Sequence, residues 1–164
     1  MDFDGFYRDT SRRLLRYTYG LTGDTAEAQD LVQEAYARAW QRWRRLSEYD
    51  DPEAWLRLVV NRLSTDRWRR LGIRRARAAA EPPTPPVTPP SEDVVLLVRV
   101  MRELPENQRR ALALHYLLDR SIAEIAVETG ASAGTVKSWL SRGRAGLAAA
   151  LHSEEIPEGA RRGR

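Results

Sequence analysis

The chain has 164 residues, room for one ordinary domain or two very small ones and too little for a large enzyme fold. It contains no cysteine, which excludes disulfides, thiolate nucleophiles and cysteine-based metal centres, and only His115 and His152 offer an imidazole. The formal net charge is +4, with 27 basic residues that are all arginine except Lys137, and the apolar run from Val94 to Val98 is far short of the roughly 18 residues a membrane span needs.

No strand-like alternation stands out, and the chain reads as helices from end to end. The first runs from about Asp4 to Leu21, with Phe3, Phe6, Tyr7, Leu14, Leu15 and Tyr17 as its apolar residues. Asp24, followed by Glu27 at the third helical position, is a good N-cap for a second helix reaching about Arg45. Its apolar set Ala28, Leu31, Val32, Ala35 and Ala39 follows the spacing of one buried face, so the row Asp30, Glu34, Arg38 and Gln41 faces outward. Trp40 is expected in the core; Trp43 and Trp68 fit either a core or a DNA-facing place. After the loop at residues 44–51, Asp51 and Pro52 cap and start a third helix. Its inner face is read as Trp55, Leu58, Val59 and Leu63, and its outer face as Arg57, Asn61, Thr65 and Trp68.

Charge is distributed unevenly over these helices. Residues 1–37 hold seven acids and four arginines (net −3), whereas residues 38–77 hold twelve arginines and five acids (net +7). With Trp43, Tyr49, Trp55 and Trp68 interleaved, the second block suits a nucleic acid, because arginine neutralises phosphate and rings stack on unpaired bases. A solvated basic face over core tryptophans is the other reading.

Six of the nine prolines fall between Pro82 and Pro90. Such a segment favours polyproline II, so residues 78–91 would span about 40 Å as a semi-rigid spacer. A ligand for a proline-reading domain is the alternative, without a flanking motif to support it. The spacer divides the chain into domains at 1–77 and 92–152, with a polar tail at 153–164. In the second domain, Ser91, Glu92 and Asp93 open a helix through Glu103, and Pro105 starts another that reaches about Leu118. Ser121 with Glu124 forms a capping box, Gly130 supplies a left-handed turn, and Ser132 caps a longer helix to about Ala149. This is helix-turn-helix spacing, with Ala126, Val136 and Leu140 placed to pack the two helices together. The outward set Gly134, Thr135, Lys137, Ser138, Ser141, Arg142 and Arg144 suits base edges and phosphates, against the plainer alternative of a helical hairpin. Gly143 in mid-helix costs about 1 kcal/mol relative to alanine, a cost that close packing would offset.

Three segments, LTGDTAEAQDLVQEAYARAWQRW, PEAWLRLVVNRLSTDRWRR and LPENQRRALALHYLLDRSIAEIAVETGASAGTVKSWLSRGRAGL, stand in that order. Together they resemble an extracytoplasmic-function sigma factor of bacterial RNA polymerase, over nearly everything but the linker and tail. The resemblance implies an all-α fold of two small helical domains, the second a helix-turn-helix. It implies that Asp30, Gln33 and Glu34 dock on the polymerase core. It further implies that Tyr49, Arg57, Asn61, Thr65 and Trp68 meet the minus-10 promoter element during melting, where a flipped base needs an amide to read its edge and a ring to stack on. Thr135, Lys137, Ser138, Arg142 and Arg144 are assigned to the minus-35 element. Gly134, Trp139 and Gly143 depart from the family's pattern, so promoter sequence does not transfer. The implied partners are core polymerase, promoter DNA and an anti-sigma protein acting in trans.

A stand-alone helix-turn-helix regulator using only the second domain is the competing reading. An enzyme is not expected, because the sequence offers no carboxylate cluster with metal spacing, no phosphate-binding glycine loop and no nucleophile beside a base. No metal or cofactor is expected either. With Asp2 and Asp4 where a secretory signal would be basic, the expected location is the cytoplasm.

Overall fold

The computed structural model describes residues 1–75 and 92–155, and every regular element among them is helical. The spacer expected at 78–91 lies outside the described residues, as does the tail beyond 155. The chain divides into two compact units, residues 1–89 and 90–164.

In the first unit, α1 (Phe3–Thr22) starts where the Asp2 carboxylate accepts from the Gly5 N–H and ends at Gly23, whose φ of 70° is the left-handed conformation glycine adopts freely. α2 (Thr25–Gln41) is capped by Asp24, which accepts from the Glu27 N–H at 2.9 Å. The helix expected to continue to Arg45 breaks at Arg42 into a single turn, α3 (Trp43–Leu46). α4 (Pro52–Arg75) opens with Asp51 Oδ1 accepting from the Ala54 N–H at 2.9 Å. The three long helices pack pairwise on one another. Ala28, Ala35 and Ala39 bring α2 close to its neighbours, and Phe6, Leu14, Tyr17, Leu31 and Leu56 fill the space between. Each of the larger side chains contributes about 1.5–3 kcal/mol by leaving water.

Two sequence expectations are corrected here. The buried face of α4 is Leu56, Arg57, Val59, Val60 and Ser64, while Leu58, expected inside, is 37% exposed. Arg57, expected on the outer face, has no exposed surface at all. The cause is that α4 packs on α1 as well as α2, so it buries a second side that a single apolar stripe does not reveal. Trp40, expected in the core, is 62% exposed: Tyr36 takes the buried position one turn earlier, and the indole packs against Phe3 in a T-shaped pair, at 4.9 Å between ring centres. Trp43 is half-buried against Phe3 and Phe6.

In the second unit, α5 (Glu92–Met101) is followed by α6 (Glu106–Leu112), for which Pro105 is the N-cap rather than the first residue. The chain then widens into a π-helical turn, Ala113–Leu117. The Arg120 N–H donates to the Leu114 carbonyl at 3.0 Å, and His115 Nδ1 lies 2.8 Å from the Arg120 carbonyl, so the connector folds back on its own turn. α7 (Ile122–Thr129) and α8 (Ala133–Glu155) follow. α8 rests on α5, α6 and α7, and Val136 and Leu140 on α8, Ile125 on α7 and Leu112 on α6 are all buried. Gly143 is where α6 comes closest: a Cβ there would stand 2.8 Å from Leu112 Cδ1.

Candidate nucleic-acid interface

Asp30, Gln33 and Glu34 are all exposed on α2. Asp30 lies 3.9 Å from Arg67 and Glu34 bonds Arg38 at 2.7 Å. Exposed pairs of this kind contribute about 0–1 kcal/mol each, so folding does not require the row. With Arg62, Asp66 and Arg70 of α4, the two acids border a groove of about 660 Å³.

A second cleft, of about 550 Å³, lies where α2 ends. Gln41, Arg42, Arg44, Arg45, Leu46, Tyr49 and Trp55 line it. Tyr49 is 53% exposed, so one ring stands in a wall of guanidinium groups. That combination suits a base, which stacks on rings, and its phosphates, which pair with guanidinium groups. Arg42, Arg44, Arg45 and Trp55 belong to the basic block read from sequence as suited to a nucleic acid but were not among the site residues singled out, although the RWRR run leading into the loop was the available signal.

Of the α4 row expected to accompany Tyr49, Arg57 and Asn61 are engaged by partners within the unit. Arg57 is buried and paired with Asp51 and Glu53. The Tyr17 hydroxyl donates to Asn61 Oδ1 at 2.9 Å, so the amide expected to read a base is tied to α1 through its oxygen. Thr65 donates its hydroxyl to the Asn61 carbonyl at 2.9 Å, and both Thr65 and Trp68 are half-buried. The structure therefore brings Tyr49 to an open cleft and withdraws Arg57 from it. Among the α4 side chains described, the exposed arginines are Arg62, Arg69 and Arg70.

In the second unit both halves of the Ser121–Glu124 capping box form, at 3.1 and 2.8 Å. Those bonds, with Arg120 at 3.2 Å, hold the Glu124 carboxyl below the usual glutamate range, the Ser121 N–H first among the causes. Gly130 closes the turn at φ 71°. Ser132 Oγ accepts from the Thr135 N–H at 3.1 Å and also meets the Thr135 hydroxyl at 2.9 Å. α8 thus presents Thr135, Lys137 and Arg142 exposed and Ser138 half-buried, with Gly134 and Ser141 leaving the surface shallow. Arg144 is also exposed but reaches back to the Tyr116 hydroxyl at 3.3 Å.

These two units have counterparts among known proteins. Residues 6–73 match the Sigma-70 region 2 family and residues 95–147 match Sigma-70, region 4. The RNA polymerase sigma-E factor of Streptomyces antibioticus is 34% identical across 95% of this chain and 88% of its own length. The chain belongs to the extracytoplasmic-function sigma factors of bacterial RNA polymerase. A further relative is the ECF RNA polymerase sigma factor SigL of Mycobacterium tuberculosis, 33% identical over 82% of this chain and 80% of that protein. The sigma factor RpoE of Bartonella quintana, solved in complex with the anti-sigma factor NepR, shares the fold at a TM-score of 0.71. That match is 24% identical and covers 90% of this chain and 97% of the other. This sigma factor has no helix among the described residues long and apolar enough to cross a membrane.

Proposed function

We propose that this sigma factor carries core polymerase to its promoters through three separate surfaces, each built from a local feature of the two units. The exposed row Asp30, Gln33 and Glu34 on α2 docks on basic residues of the polymerase core. The Tyr49 cleft, with Arg42, Arg44 and Arg45, takes the unpaired strand of the minus-10 element as the duplex opens, and the half-buried edge of Asn61, Thr65 and Trp68 borders its path. α8 enters the major groove at the minus-35 element. There Thr135, Ser138 and Arg142 reach base edges, and Lys137 and Arg144 hold phosphate. Residues 1–77 and 92–152 are then the two working domains and 78–91 the spacer between them. The protein works in the cytoplasm, performs no catalysis of its own and is restrained by an anti-sigma partner in trans.

The observation that carries the reading is the acidic row: Asp30 and Glu34 are exposed, and their pairs with Arg67 and Arg38 are surface pairs worth about 0–1 kcal/mol, so folding does not require their charge. Changing both to lysine should leave the fold intact, because exposed charges usually contribute within about half a kcal/mol. It should cost several kcal/mol of association by placing like charges together at the interface. Pull-down of core polymerase, beside circular dichroism of the same variant, makes the test. A folded double variant that still binds core and transcribes normally would overturn the docking surface.

A further inference from the structure

A fully buried charge in the first unit is paired with a residue of the Tyr49 loop. Arg57 has no exposed surface, so protein groups rather than water hold its guanidinium. Nη2 is 3.4 Å from Asp51 Oδ2 and Nη1 is 3.6 Å from Glu53 Oε1. Glu53 is shared with α1, because Arg13 grips the same carboxylate through Nε at 3.2 Å and Nη2 at 2.8 Å. A buried charge tolerates little displacement from its partners, so this cluster fixes α1, α4 and the residues entering α4 against one another.

Asp51 has a second duty, since its Oδ1 caps α4 at the Ala54 N–H. It stands two residues after Tyr49. On the other side of that tyrosine, Leu46 is buried and its carbonyl accepts from the Tyr49 N–H at 3.1 Å. The loop therefore runs between two fixed points, an apolar one at Leu46 and an ionic one at Asp51, and Tyr49 projects from the span between them.

We propose that Arg57 is a positioning residue for promoter opening: it meets no DNA, and by holding Asp51 and Glu53 it sets the loop so that Tyr49 faces the unpaired strand. The proposal rests on the reading of the Tyr49 loop as the strand-capturing element. A loop already in its bound shape loses less freedom on binding than one that must be ordered.

Two substitutions separate positioning from folding. Asp51→Ser keeps a capping oxygen for Ala54 but removes the carboxylate from Arg57. Arg57→Lys keeps the buried charge but loses the fork that reaches two carboxylates. Holoenzyme made with each full-length variant is tested on a promoter found by run-off transcription from genomic fragments, with permanganate reactivity of minus-10 thymines reporting opening and core pull-down reporting docking. Opening should fall about five- to tenfold in Asp51→Ser with core binding unchanged. Combining Asp51→Ser with Tyr49→Ala should be no worse than Tyr49→Ala alone, since both act through one loop. Arg57→Lys should show the same split, and if it does not fold, Asp51→Ser alone decides. Normal opening by Asp51→Ser, losses that multiply in the double variant, or core binding lost in step with opening would each overturn the positioning role. A Tyr49→Ala holoenzyme that opens promoters normally would overturn the reading of the loop itself, and the proposal with it.

Discussion

Gly143 is a position where helix propensity and packing predict opposite signs, and Gly143→Ala tests which dominates. In an isolated helix the substitution stabilises by about 1 kcal/mol. In the second unit the new methyl would stand 2.8 Å from Leu112 Cδ1 and 3.1 Å from its Cγ. Leu112 is fully enclosed on α6 and has no solvent to swing into, and overpacking of this kind costs about 1–3 kcal/mol. The difference is a net destabilisation of about 0–2 kcal/mol. Amide hydrogen exchange at α6 and α8 in the full chain reads it locally, without interference from the first unit. Leu112→Val makes room for the methyl, so the double variant should recover part of the loss, with a coupling of about 0.5–3 kcal/mol between the two sites. Gly134→Ala serves as the control, since its Cβ would meet only Ser132 Oγ, at 3.9 Å. Slower exchange in Gly143→Ala, or strictly additive effects with Leu112→Val, would refute the packing account.

The remaining predictions concern the helix-turn-helix. Because the folded Glu124 carboxyl titrates below the ordinary value of 4.5, its contribution is complete above that value and is lost as the pH falls through the lower folded one. Thermal unfolding should therefore separate Glu124→Gln from the parent at neutral pH and bring the two together in strong acid; a gap that widens with acid would contradict the sign. Arg142→Ala should cost roughly 1–3 kcal/mol of minus-35 binding and relax preference at one base pair, as read by binding to a panel of single-base variants. Lys137→Ala should weaken all sequences alike and lower the salt slope by about one. Profiles unchanged by either substitution would mean that α8 does not enter the groove.

The parts legible in the sequence were those whose physics is local. Caps act within four residues, so Asp24, Asp51, Ser121 with Glu124, Gly130 and Ser132 all mark real helix ends. The periodicity of α2 was readable because its buried side is one continuous stripe. What escaped was decided by distant partners. Arg57 looks like a surface residue until Asp51 and Glu53 are placed around it, and Glu53 is set in turn by Arg13, forty residues away. Trp40 looks like core until Tyr36 is seen to occupy the buried site, with its hydroxyl 2.7 Å from Thr10 and, through burial, its ionisation pushed up to about 12. The arginines around Tyr49 were visible as charge but not as a wall, because α2 had been extended through the break at Arg42 that turns them toward the loop.

That break bears on how docking and strand capture work together. Asp30 and Gln41 lie on the same helix, and at 1.5 Å per residue about 16 Å separates them along its axis. Gln41 also borders the arginine cleft. α2 is buried along its inner face and packs on both α1 and α4. If Asp30 and Glu34 dock on the polymerase as proposed, the same contact bears on where the Tyr49 cleft stands, which joins α2 through the break at Arg42 and the loop. The loop is in turn held at Leu46 and Asp51. The Arg57 cluster is then what remains to set the placement of Tyr49, which is why an arginine with no exposed surface should register in promoter opening and leave core binding untouched.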